Sequence, residues 1–178
     1  MTLVTETPRL RLRLLDAERD LAALLELLND PAFLHGIGDR GVRTLEQAAA
    51  FLRQWGGFRY AQFGFGHYAI EDRQGAFLGT AGLIQRDDLP APDIGYALLS
   101  AYHGRGYAEE AARGVMAYAR EVLKLPRLLG IASPDNVRSI RLLEKLGLRY
   151  RGEYVMHDGK RDALYAIEFG DAQADVER

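Results

Sequence analysis

The chain has 178 residues, 48% of them apolar and 27% charged, with a formal net charge of −2 and a pI near 6.1. That length suits one domain burying about two-thirds of its unfolded surface, and the near-neutral balance argues against nucleic acid or an anionic membrane as partner. Cysteine is absent, which excludes disulfides, thiolate metal sites and a cysteine nucleophile.

Met1–Glu6 has neither the basic start nor the apolar core of a signal peptide. No apolar run approaches the ~20 residues of a membrane span, so a cytoplasmic location is expected. Arg9–Leu14 alternates basic and apolar residues, the period of a half-buried strand. Its arginines are expected on a solvated face, with recruitment of an acidic partner as the other reading. Asp16 stands as an N-cap ahead of a helix to about Leu28, with Leu21, Leu24, Leu25 and Leu28 on one side. Asn29-Asp30-Pro31 ends that helix, and His35–Gly41 reads as a glycine-rich loop. Thr44-Leu45-Glu46-Gln47 is a capping box opening a helix to about Trp55.

Residues 56–66 interleave glycines with Phe58, Tyr60, Phe63 and Phe65, either a substrate wall or aromatic packing on a sheet. Strands are expected at 66–72 and 77–85, joined by the turn Arg73-Gln74-Gly75. A loop over 87–92 leads to a strand at Asp93–Leu99. After a long central helix, Pro126 precedes a strand at Arg127–Ser133. Pro134-Asp135-Asn136 starts a short helix ending at Leu146-Gly147, where glycine suits a left-handed cap. Two strands, about 149–154 and 163–169, flank the turn His157-Asp158-Gly159-Lys160. The polar tail beyond Gly170 is expected to fray. Without repeats or linkers, residues 1–178 read as one α+β domain. Its mixed, mostly antiparallel twisted sheet has about six to seven strands flanked by about four helices.

The most informative stretch is Tyr102–Ala119. Gly104 and Gly106 run straight into an amphipathic helix, and a strand lies just upstream. Glycine lets backbone approach a ligand closely, and the unpaired amides of a helix start attract negative charge. The four histidines, His35, His67, His103 and His157, lack any metal-ligand spacing, so no metal is expected. Glu109 stands where a dinucleotide-binding glycine pattern needs its third glycine. No Gly-x-Ser-x-Gly elbow or Walker pattern occurs.

A second block, Ser133–Leu148, holds Asn136-Val137-Arg138-Ser139 and Glu144-Lys145-Leu146-Gly147-Leu148. With His103-Gly104-Arg105-Gly106-Tyr107-Ala108 and Asp93-Ile94-Gly95-Tyr96, it resembles the Gcn5-related N-acetyltransferases (GNAT), in their ribosomal-protein (Rim-type) branch. The family's acetyl-CoA signature is Q/R-x-x-G-x-G/A, its helix begins N-x-x-S, and its strand reads E-I-G-Y. Pro8-Arg9-Leu10, the helix opening at Thr44–Leu52 and Arg161-Asp162-Ala163-Leu164-Tyr165 also match, so the resemblance covers about 7–169. His103 replaces glutamine or arginine, Asp93 replaces glutamate, and Leu148 replaces phenylalanine.

The resemblance implies a GNAT-like fold and acetyl transfer from acetyl-CoA to a primary amine, by direct attack in a ternary complex. The acceptor is either a peptide N-terminus or a small-molecule amine; a catalytically weak CoA-binding regulatory module is the alternative. The implied cofactor contacts are His103, Gly104, Arg105, Gly106, Tyr107 and Ala108 for the phosphates. The extended segment with Leu98 and Leu99 would pair with the pantetheine arm, joined by Asn136, which also suits a helix N-cap. Asp93 is the candidate base, through water because its side chain is short, or else a cap at a loop-to-strand junction. Ser139 is the candidate donor to the departing sulfur, or an ordinary helix serine; Tyr96 and Tyr165 are weaker alternatives. A monomer or homodimer is expected.

Overall fold

The computed structural model describes residues 2–170; the polar tail from residue 171 onward lies outside the described residues. Eight strands, β1 (Leu3–Glu6), β2 (Leu10–Leu14), β3 (His67–Asp72), β4 (Phe77–Ile84), β5 (Asp93–Leu98), β6 (Arg127–Ala132), β7 (Arg149–Val155) and β8 (Arg161–Glu168), form one sheet. Their order is β1-β2-β3-β4-β5-β6-β8-β7. Every neighbouring pair is antiparallel except β5 and β6. The α+β fold is the expected one, with β1 as an added edge strand.

The helices depart further from expectation. Asp16 accepts from the amides of Glu18 and Arg19, closing a turn, and α1 (Leu21–Asn29) starts only after Asp20. Pro31 begins a helix as well as ending one: α2 (Pro31–Gly36) follows Asp30, which accepts from Ala32 N at 2.9 Å. Proline at the first helical position costs no hydrogen bond. The capping box opens α3 (Leu45–Leu52) as expected. The chain then continues through a π-helical turn (Arg53–Phe58) into α4 (Arg59–Phe63), from which Tyr60 and Phe63 pack against the core, Tyr60 stacking on Tyr68 of β3. The last two helices are α5 (Tyr107–Glu121) and α6 (Val137–Lys145). Among the described residues no helix is long and apolar enough to cross a membrane.

One apolar cluster joins Leu98 to Ala111, Val115 and Leu143, and so to α5 and α6. A second joins Ala97 to Leu24, Leu28, Ala48 and Leu52, and so to α1 and α3. Ala97 and Leu98 are successive strand residues, so the two clusters cover opposite faces of the sheet.

Of the arginines expected on a solvated face, Arg9 and Arg11 keep 48% and 35% of their side-chain surface exposed, but Arg13 does not. Arg13 is only 1% exposed. Its Nη atoms donate to both Asp20 oxygens at 2.7 and 2.9 Å, and its Nε donates to Glu71 Oε2 at 2.7 Å. Arg19 adds a second contact to Glu71 at 3.0 Å. A planar guanidinium between two carboxylates satisfies its donors and so tolerates burial. Strand alternation fixed the face on which Arg13 lies but carried no information about what covers it.

Candidate active site

The parallel step in the sheet opens a gap. β5 and β6 share two rungs, Asp93 with Leu129 and Ile94 with Gly130, although β5 continues to Leu98 and β6 to Ala132. Leu99 N donates to Leu78 O at 2.9 Å on the β4 side, and Leu129 N donates to Pro92 O at 2.9 Å on the β6 side. Backbone polar groups alternate along a strand, so those of Tyr96 and Leu98 turn toward the gap, while the Leu99 amide turns away. The His103 ring folds back here, its Nε2 donating to Leu98 O at 2.9 Å.

Beyond β5 the chain makes a 3-10 turn (Ser100–Tyr102), pinned by Asp30, which accepts from Ser100 N at 2.9 Å and Ser100 Oγ at 2.5 Å. Gly104 and Gly106 then adopt φ of +75° and +76°, the left-handed region that glycine enters without steric cost. No side chain caps α5, and its first amide on a described backbone carbonyl is Glu110 N, on Gly106 O at 3.1 Å. The amides of Tyr107, Ala108 and Glu109 thus point outward at the positive end of the helix dipole. Glu109 pairs with Arg113 and Lys145, and Glu110 with Arg9, so neither carboxylate blocks that end.

Arg9 is the residue that sequence reasoning missed. Its Nε meets Glu110 Oε2 at 2.5 Å, its Nη1 donates to Arg105 O at 2.9 Å, and its guanidinium lies 4.5 Å from the Tyr107 ring centroid. A Cβ on Gly106 would sit 3.4 Å from Arg9 Nη2. Arg105 itself is exposed, its guanidinium 6.0 Å from the Tyr102 ring. Outward amides, two glycines and two guanidiniums form a donor set suited to phosphate, and the polar edge of Tyr96 and Leu98 suits an amide-rich arm.

Across the gap, α6 faces β5. Asn136 caps α6, its Oδ1 accepting from Ser139 N at 3.1 Å, and its Nδ2 donates to Gly36 O at 3.3 Å. The cap role is therefore real, and one Nδ2 hydrogen is left over. Tyr96 Oη lies 3.2 Å from Ser139 Oγ and 3.3 Å from Ser139 O. Burial pushes the Tyr96 phenol up to about 12, with the Ser139 bond opposing, so it remains a proton donor at neutral pH. Tyr165, the weaker alternative, is packed against Tyr150 with ring centroids 5.7 Å apart.

The opposite face of β5 is different. Asp93 is 2% exposed, with its oxygens 2.8 and 3.3 Å from Arg86 Nε and Nη2. Burial lifts the Asp93 carboxyl above its ordinary range, and Arg86 pulls it back. His67, Gly82 and Gly95 stand side by side on β3, β4 and β5. The imidazole lies across both glycines: a Cβ on Gly95 would fall 3.1 Å from His67 Nε2. That nitrogen is buried without a hydrogen-bond partner among the described residues.

Burial first, then Arg59, Arg40 and Arg86, bring the His67 pKa down from 6.5 to about 4. Because the folded value lies below the unfolded one, the unfolded chain takes the proton first as pH falls. Stability is therefore lost as pH drops from about 6.5 to about 4. The urea midpoint should fall more steeply across that window in the parent than in His67→Gln. Equal slopes would show that the imidazole is not held neutral.

The family model described as the acetyltransferase (GNAT) domain matches residues 9–149. YkkB of Bacillus subtilis is 32% identical over 148 residues, 81% of this chain and 84% of YkkB. An acetyltransferase crystal structure from Agrobacterium tumefaciens superposes with a TM-score of 0.78 at 27% identity, covering 93% of this chain and 94% of that one. RimL, a ribosomal alpha-N-protein acetyltransferase in complex with coenzyme A, shares the fold with a TM-score of 0.79 at 18% identity, over 94% and 98% of the two chains.

Proposed function

The chain belongs to the GNAT acetyltransferase family, and we propose that it carries acetyl from acetyl-CoA directly to a primary amine, a peptide α-amine being the first candidate. The observation that carries the site assignment is the uncapped start of α5 at the mouth of the β5/β6 gap. In this reading the amides of Arg105, Gly106, Tyr107 and Ala108, with the side chains of Arg9 and Arg105, hold the pyrophosphate. His103 keeps the phosphate loop in place through its bond to Leu98 O. The pantetheine arm runs along the gap edge at Leu98, with Leu99 packed beneath it and the spare Asn136 N–H alongside. The Tyr96 amide polarises the thioester carbonyl, an oxyanion-hole role.

An α-amine has an unperturbed pKa of about 7.7–8.0 and needs little help to become nucleophilic. Its proton passes by way of water to Asp93, which Arg86 orients. Ser139 Oγ donates to the departing sulfur and takes a proton from Tyr96 Oη; water then reprotonates the Tyr96 phenol and takes the proton held by Asp93, which closes the cycle. The direct route has no covalent enzyme intermediate, in keeping with a chain that has no cysteine. RimL, which shares the fold, is an α-amine acetyltransferase bound to coenzyme A, and this supports both ligands.

Mass spectrometry after incubation with acetyl-CoA and a host extract tests the reading. We expect proteins or peptides that gain one acetyl group at their N-terminus, and none when enzyme is omitted. Acetylation confined to small amines would move the acceptor to that class. Tight CoA binding with no acetylated product would leave a binding module instead.

A further inference from the structure

Among the described residues the Tyr96 side chain closes the α6 side of β5 against Ser139, which leaves the opposite face of β5 for the amine. On that face Gly95 has no side chain and His67 lies over it. Around His67 the structure gathers a cluster of aromatic and cationic side chains. Trp55 meets the His67 ring edge-on, with centroids 5.3 Å apart, and stacks on Phe51 at 5.3 Å. The guanidiniums of Arg59 and Arg40 lie 5.5 and 5.9 Å from the Trp55 centroid. Arg86 stands at the other end, 5.9 Å from the Tyr154 ring.

The charges in this cluster do not balance. Asp93 is matched by Arg86, and Asp88 accepts the Tyr154 hydroxyl at 2.8 and 3.0 Å. Arg59 donates to a backbone carbonyl, Gln85 O, at 2.9 Å. Asp39, next to Arg40 in sequence, is held by Arg43 at 2.5 Å. Among the described residues neither Arg40 nor Arg59 has an ion-pair partner. Partial burial and the nearby Arg86 hold the Arg40 guanidinium below its ordinary pKa, as expected of a cation facing like charge. Arg40 remains exposed and so is within reach of a ligand.

The geometry points to an acceptor that carries a carboxylate close to its amine, seated on Arg40 with Arg59 beside it and stacked against Trp55. This rests on the acetyltransferase reading and adds the substrate class to it. A carboxylate supplies the missing countercharge, and its bonds to guanidinium are charge-assisted and therefore strong. The same cations favour the uncharged, nucleophilic form of the amine. An acceptor bearing only an ammonium would be repelled.

Trp55 is the single tryptophan of the chain, so its fluorescence reports on this cluster without turnover. With CoA present, the protein is titrated with acetylated amino acids and their amides. A second series uses acetylated dipeptide amides with glutamate or glutamine as second residue. The first series reads a free α-carboxylate, the second an acidic side chain near a peptide N-terminus. In at least one series we expect the acid to bind about tenfold or more tightly than its amide. That preference should collapse in Arg40→Gln and persist in part in Arg40→Lys. Equal responses to acid and amide in both series, including none, would overturn the inference, as would a preference that survives Arg40→Gln. Equal acetylation of acidic and neutral amines would also overturn it while leaving the transferase intact. Failure to bind CoA would instead overturn the transferase reading.

Discussion

Gly106→Glu should weaken acetyl-CoA binding by about a hundredfold or more, equivalent to ~3 kcal/mol. Three effects act together. Residue 106 sits at φ +76°, where a side chain is strained by about 1–2 kcal/mol. The new carboxylate stands at the start of α5, among the outward amides that the phosphates would use, and repels them. It also lies beside Arg9, because a Cβ at 106 falls 3.4 Å from Arg9 Nη2. An ion pair there would draw away one of the cations assigned to the phosphates. Gly106→Asn is the control, since asparagine tolerates the left-handed region and adds no charge. It should retain most of the affinity, with both variants folded by circular dichroism. Parent-like affinity in Gly106→Glu would place the phosphates elsewhere.

Ser139→Ala should lower kcat by about a hundredfold, in the range for loss of a positioned proton donor, with little change in KM for acetyl-CoA. The substitution is structurally mild. Asn136 caps α6 through Ser139 N, which alanine keeps, and Tyr96 can still reach Ser139 O at 3.3 Å. A loss confined to kcat identifies an interaction made in the transition state. Unchanged turnover would remove the serine from the mechanism and leave the phenol of Tyr96 as the donor. Steady-state rates of thiol release at saturating amine decide between these outcomes.

What could be read from the sequence was local. The capping box at Thr44, the left-handed Gly147, the glycine turn into α5 and the Asn136 cap each depend on residues within a few positions. The structure has them all. Short-range signals failed where one residue serves two purposes. Pro31 both stops α1 and starts α2, and Asp16 caps a turn ahead of the helix. The glycine and aromatic run after Trp55 winds into a π turn and a short helix, which periodicity of 3.6 does not register.

Side-chain partners far apart in the chain were not legible at all. Arg9 reaches Glu110 across 101 positions, and Arg13 reaches Glu71 across 58. Alternation along β2 places Arg11 and Arg13 on one face, with Arg9 just ahead of the strand, but the sheet order decides which carboxylates meet them. The acceptor face has the same character. Arg40, Trp55, His67 and Arg86 come from a loop, a π turn, a strand and a second loop, and nothing in their spacing announces that they converge. The cofactor side of the site is thus written in one contiguous motif, and the acceptor side in scattered residues.

Titration calorimetry of the purified protein with acetyl-CoA tests the central claim most directly. Saturable binding at one site per chain, lost in Gly106→Glu and kept in Gly106→Asn, is the predicted result. No binding at millimolar acetyl-CoA, or binding indifferent to Gly106→Glu, would contradict it.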